Sequence, residues 1–105
     1  MKFLTISTVK DVYYTLPQAE KAKLDAASTE FLFNFKKKMG DKLHFYSSPK
    51  GLISIGEYGS LEEYYQSLQQ SPRAAAGYMN YDCIPLIEID EKAIQAYLAN
   101  AKAGK

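Results

Sequence analysis

Lys2–Val9 is rich in Phe, Ile, Thr and Val and contains nothing that breaks a sheet, so it reads as a β-strand. Asp11–Thr15 is a connection. Thr15 is placed to cap the next helix, with Pro17 in its first turn, where a missing N–H does little harm. The apolar period then changes. Leu24, Ala27, Ser28, Phe31, Leu32, Phe35 and Met39 recur at three- and four-residue steps, which predicts one long amphipathic helix. Lys36, Lys37 and Lys38 suit the negative end of its dipole, and Gly40 is a natural stop. Lys42–Ser47 and Gly51–Tyr58 read as paired strands around the turn residues Ser48-Pro49-Lys50. Ser60-Leu61-Glu62-Glu63 is a capping box opening a second helix with an apolar face of Leu61, Tyr64, Tyr65 and Leu68. Pro72 ends that helix, and Arg73–Gly77 is a further helical turn. Met79–Ile89 is a last long strand, which Pro85 marks as an edge or a bulge. Asp90 caps a final helix carrying Ala93, Ile94, Tyr97 and Leu98, and the tail from Ala101 to Lys105 is expected to fray.

The order β-α-β-β-α-β plus a C-terminal helix is that of an α+β, ferredoxin-like domain. It predicts a four-stranded antiparallel sheet with both helices on one face. The whole chain, 1–105, is read as one domain, with 89–105 as a helical extension. The helical stripes cover one sheet face only, while every strand carries apolar residues at alternate positions on both. An open apolar face of that kind is uncommon on a monomer, so a second subunit is expected to cover it. Phe33 lies opposite the helix stripe and is expected to be exposed in a monomer.

Composition narrows the picture. The 105 residues suffice for one core, and 47% are hydrophobic, which excludes a disordered chain. A formal net charge of +1 gives no pull toward a nucleic-acid backbone. Twelve of the thirteen basic residues are lysines, and Arg73 is the only arginine, so a site built on several guanidinium forks is excluded. The single cysteine, Cys83, cannot form a disulfide within the chain and suits a reducing compartment. No run approaches the roughly 20 apolar residues of a membrane span. The default expectation is a cytoplasmic protein with no membrane partner. The third strand, Leu52–Tyr58, lacks the basic-Gly-aromatic pattern of RNA-binding domains of the same element order, so no nucleic-acid partner is expected.

The second half carries a family resemblance. Ser54-Ile55-Gly56-Glu57-Tyr58, then Ser60-Leu61-Glu62-Glu63, Leu68, Pro72, Tyr78-Met79 and Ile84-Pro85-Leu86, together with the opening Met-x-Phe strand and the Leu-Pro before the long helix, resembles muconolactone isomerase. The resemblance extends to about Ile87. It implies a subunit that pairs sheet to sheet as a dimeric α+β barrel and a cofactor-free proton transfer on a small lactone acid. The chain departs from the pattern in a short insertion around Arg73–Ala76, in the helix after Asp90, and in having a lone arginine to hold a carboxylate. Heme-degrading and quinone-forming monooxygenases share the architecture, so fold alone does not select a chemistry.

His44 is the only histidine. It shares a strand face with Tyr46, and the register of a two-residue turn adds Glu57 to that face. Such a group can shuttle a proton near neutral pH, or it can be a wet edge-strand histidine with no chemistry. Asp82 shares parity with Ile84 and Leu86, and an acid among apolar neighbours can act as a base; Glu88 belongs in solvent. Among nine tyrosines, Tyr46, Tyr58, Tyr78 and Tyr81 lie on or beside strands, where a ring with a polar tip suits an oxygenated aromatic ligand or a subunit interface. Cys83 reads as a buried inert thiol, and one His with one Cys cannot make a standard zinc set, so neither metal nor cofactor is expected. These readings converge on a small-molecule pocket protein. Its first candidate activity is isomerisation by proton transfer, with His44 and Asp82 as catalytic groups and Tyr46, Glu57, Tyr78 and Tyr81 around the ligand. A non-catalytic oligomeric module and a cofactor-independent monooxygenase are the alternatives.

Overall fold

The computed structural model describes residues 1–104. Four strands, β1 (Lys2–Val9), β2 (Leu43–Ser48), β3 (Gly51–Glu57) and β4 (Met79–Leu86), form one antiparallel sheet in the order β2-β3-β1-β4. Helix α1 (Gln18–Met39) links β1 to β2. Helices α2 (Leu61–Leu68) and α3 (Pro72–Ala75) link β3 to β4, and α4 (Glu91–Ala103) follows the last strand. Each helical crossover skips one strand, so β1 and β3 end up central. This is the ferredoxin-like α+β arrangement expected from the element order.

Local chemistry accounts for most boundaries. The β2–β3 hairpin turns on Pro49 and Lys50 with Ser48 opposite Gly51, the two-residue register that puts Glu57 on the face of His44 and Tyr46. Ser60 accepts a hydrogen bond from the Glu63 N–H at 3.1 Å, and the Glu63 carboxylate accepts from the Gly59 N–H at 3.1 Å, which completes the box one residue early. The Asp90 carboxylate accepts from the Ala93 N–H at 2.8 Å. Gly40 ends α1 at φ 59, a conformation costly for any residue with a Cβ.

Three expectations need correction. The Asp11–Thr15 connection is a 3₁₀ turn, and the Thr15 hydroxyl closes it by donating to the Val12 carbonyl at 2.6 Å. Thr15 therefore does not cap α1, whose N-cap is Pro17 with no side-chain hydrogen bond. β4 stops at Leu86 instead of Ile89, because Leu86 pairs with Lys2, the first residue of β1, and the ladder has no neighbour beyond it. α4 stays helical through Ala103 where fraying was expected; Lys105 lies outside the described residues.

The registers sort side chains onto two faces. Phe3, Thr5 and Ser7 share the helix-side face with Leu43, Phe45, Leu52, Ser54, Tyr81 and Cys83. Leu4, Ile6, Ile53, Ile55 and Ile84 share the opposite face, where no element of the same chain lies over them. The tightest packing is on the helix side. Phe3, Leu43 and Tyr64 are buried there, with the Phe3 and Tyr64 rings stacked at 4.0 Å and Tyr58 tilted against Tyr64 at 5.0 Å. Thr5 is buried beside them and shares a hydrogen bond with the Tyr64 hydroxyl.

Candidate functional site

The α1 stripe faces the sheet but does not close on it. Only Ser28 of α1 is fully buried, while Phe31, Leu32 and Phe35 are half-buried. Between α1 and the sheet lies a cavity of about 520 Å³, inside the range typical of small-molecule sites. Its apolar wall comes from Phe31, Leu32 and Phe35 of α1 with Leu43, Phe45 and Leu52 of the sheet. Its polar lining comes from Ser7, Ser28, Ser71, Arg73 and Tyr81, and Pro49, Lys50 and Gly51 of the hairpin also border it. Apolar side chains that would fill the core of a closed domain here surround space.

Arg73 is held by a cluster not anticipated from the sequence. Its guanidinium pairs with the Asp25 carboxylate at 2.6 Å and lies 5.5 Å from the centre of the Tyr13 ring. The Tyr13 hydroxyl donates to the same carboxylate, and the Arg73 N–H donates to the Ser28 hydroxyl at 3.3 Å. Arg73 Nε is buried with no hydrogen-bond partner among the described residues. The Asp25 carboxyl is held below its ordinary value, first by the Tyr13 hydroxyl and then by Arg73. Tyr13 is pushed up by burial and by the neighbouring Asp25. Burial works against the Arg73 charge, but Asp25 and Tyr13 outweigh it, so Arg73 lies above its ordinary value.

The sign of the linkage gives a prediction. A carboxyl whose value is depressed in the folded state stabilises above its unfolded value, and that contribution fades as pH falls through the folded one. Asp25→Asn is therefore expected to melt below the parent at pH 7. The gap should narrow as pH drops below about 4, as read by circular dichroism melts from neutral into acid pH. A gap independent of pH would mean that Asp25 acts through packing alone.

The sequence candidates divide between the two faces. Tyr81 lines the cavity, and its hydroxyl donates to the Leu68 carbonyl at 3.0 Å; burial pushes it above its ordinary value, partly offset by Ser71. Tyr58 also lines the cavity and is raised by burial. Tyr78 packs against Tyr13 at 5.6 Å, outside the lining. His44, Tyr46, Glu57 and Asp82 lie on the opposite, open face, Glu57 with Lys2 at 3.8 Å. One pocket holding His44, Asp82 and Tyr81 together is thus not formed within the chain. Tyr81 and Asp82 are consecutive residues of one strand and must point to opposite faces. His44 and Asp82 also sit on the two edge strands, three ladder spacings or about 14 Å apart, beyond any direct proton relay. His44 and Glu57 are closer, diagonal across the β2–β3 ladder at about 7 Å between backbones. Cys83 is half-buried on the helix side.

A signal for the missed cluster existed. Asp25 falls seven residues before Leu32 and so interrupts the apolar stripe with a charge, and Arg73 is the chain's only arginine. No family model matches the chain, and no curated protein matches it. Among the described residues, no group of three or more His, Cys, Asp or Glu is arranged to hold a metal ion, and no helix is long and apolar enough to cross a membrane.

Proposed function

We propose that this chain is a small-molecule pocket protein whose ligand lies between α1 and the sheet. The carrying observation is the cavity of about 520 Å³ where the domain's core would otherwise be. Unfilled apolar lining forfeits dispersion contacts and burial, so an apolar or aromatic body seated against Phe31, Phe35, Phe45 and Leu52 recovers both. The polar lining from Ser7, Ser71 and Arg73 favours a ligand with a hydrogen-bond-accepting end, such as a carboxylate or lactone oxygen. Asp25 already neutralises much of the Arg73 charge, so the accepting group need not be ionised. In this reading a second copy of the chain covers the open sheet face. Proton-transfer isomerisation is the second reading. It rests on the diagonal His44–Glu57 pair, which becomes a walled site only when that copy lies over it.

The test is a thermal-shift series with small aromatic acids and lactone acids. A ligand present at 100 times its dissociation constant stabilises by about 2.7 kcal/mol, and each kcal/mol raises the midpoint by roughly 4–8 °C in a domain of this size. Ser54→Phe, which fills the cavity from the sheet side, is expected to remain folded and lose the response. If no compound moves the parent's midpoint, or if the filled variant responds equally, the cavity is not the site. A compound that is converted rather than retained, with conversion lost in His44→Ala, assigns the second reading.

A further inference from the structure

Ile87–Asp90 carries the chain away from the sheet, and α4 then has no substantial packing against the rest of its own subunit. The radius of gyration is 18.0 Å with a longest extent of 62 Å, whereas a compact chain of this length has a radius of about 13 Å. Ile94, Tyr97 and Leu98 lie at the i, i+3, i+4 steps of one α4 stripe, and Ile87 and Ile89 precede it. All five are substantially exposed, from 49% for Ile94 to 87% for Ile87. A lone helix of 13 residues is marginal in water, so its stability must come from a surface that covers this stripe.

The chain also carries a surface of matching size. The open sheet face presents Leu4, Ile6, Ile53, Ile55 and Ile84. Its edge strands are about 14 Å apart, and a 13-residue helix is about 20 Å long, enough to lie across all four strands. The rim of the face bears Asp82 and the paired Lys2 and Glu57, while α4 bears Glu91, Lys92 and Lys102, so neither surface carries a one-signed charge that would repel the other. Each copy therefore has one donor helix and one acceptor face, the condition for reciprocal exchange closing about a two-fold axis.

We propose that α4 is an exchange arm: the arm of one copy lies across the open sheet face of a second copy, and the second copy's arm does the same in return. The inference rests on the reading that a second copy covers that face, and it names the segment that does so. Five such side chains expose on the order of 600 Å² per arm, and two arms seated on two faces exceed the roughly 1,200 Å² total at which stable interfaces begin.

The test uses full-length chains in sedimentation velocity. The parent is expected to be a dimer. Tyr97→Glu with Leu98→Lys changes only exposed positions of α4 and is expected to weaken self-association by at least about 100-fold while leaving the sheet signal in circular dichroism intact. Ile84→Lys, on the acceptor face, is expected to do the same. An equimolar mixture of the arm variant and the face variant pairs one intact arm with one intact face, so a mixed dimer should return at higher concentration. If the arm variant remains a dimer, sheet-on-sheet contact holds the copies and the exchange fails, while the covering of the face by a second copy stands. A monomeric parent overturns both, including when α4 folds back on its own sheet or serves a different partner. A mixture with no mixed dimer overturns the exchange.

Discussion

Tyr64→Ala is expected to destabilise the domain by about 3–5 kcal/mol, a large part of the 5–15 kcal/mol that holds a typical domain together. Tyr64 is fully buried, and its ring stacks on Phe3 at 4.0 Å with an interplanar angle of 2°. Tyr58 is tilted against Tyr64 at 5.0 Å and stands 6.2 Å from Phe3, beside the stack. Truncation removes the ring that both neighbours pack against and leaves the buried Thr5 hydroxyl without the Tyr64 hydroxyl it bonds. Few other residues share the load. The fully buried apolar side chains are Phe3, Tyr13, Leu43 and Tyr64, because the space under α1 is occupied by the cavity. The melting midpoint should fall by at least about 12 °C. Tyr64→Phe keeps the ring and removes the hydroxyl, so its loss should be nearer 1–2 kcal/mol, set by the unsatisfied Thr5. Calorimetric melts of the three proteins check both values. Equal losses for Ala and Phe would place the energy in the hydrogen bond rather than in the stack.

The same cluster illustrates what a sequence can reveal. The helix beginning at Ser60 and the turn at Pro49-Lys50 depend on neighbouring residues, and both were legible. So was the shared face of His44, Tyr46 and Glu57, which follows from strand parity once the turn is a two-residue one. The opposed faces of Tyr81 and Asp82 follow from the same parity. The end of β4 was not legible, because Ile87 and Ile89 continue an alternating pattern. What stops the strand is the start of β1, more than 80 positions away in sequence. The α1 stripe tells which side of the helix faces the sheet but not how far away the sheet lies. Half-burial of Phe31, Leu32 and Phe35, and with it the cavity, depends on α3 and the Asp25–Arg73 pair holding the helix in place. That is a contact across 48 positions which no local pattern encodes.

Gly51→Ala is the other large effect, expected at about 2–6 kcal/mol, and it bears on both the fold and the cavity. Gly51 opens β3 directly after the turn and takes φ 128, a region that a residue with a Cβ rarely enters, at a cost of about 1–3 kcal/mol. Its space is closed as well. A Cβ there would sit 2.5 Å from the Ser7 carbonyl oxygen and 3.0 Å from Thr8 Cγ2. The first obstacle is backbone of the central strand β1, which cannot rotate away as a side chain would, so the hairpin must shift, adding about 1–3 kcal/mol of overpacking. Gly40 is the control. It also has positive φ, 59, with ψ −130, but nothing lies within 4 Å of its added Cβ, so Gly40→Ala should cost only the roughly 1–3 kcal/mol of a backbone conformation rare for a residue with a Cβ. Urea unfolding of the two variants separates the terms: the difference between them is the part due to Ser7 and Thr8. Because Pro49, Lys50 and Gly51 border the cavity, the hairpin shift in Gly51→Ala should also weaken ligand response in the fraction that stays folded, whereas Gly40→Ala leaves it unchanged. Equal costs for the two glycines would mean that the hairpin yields freely against β1, and the cavity border would then be a soft edge rather than a fixed wall.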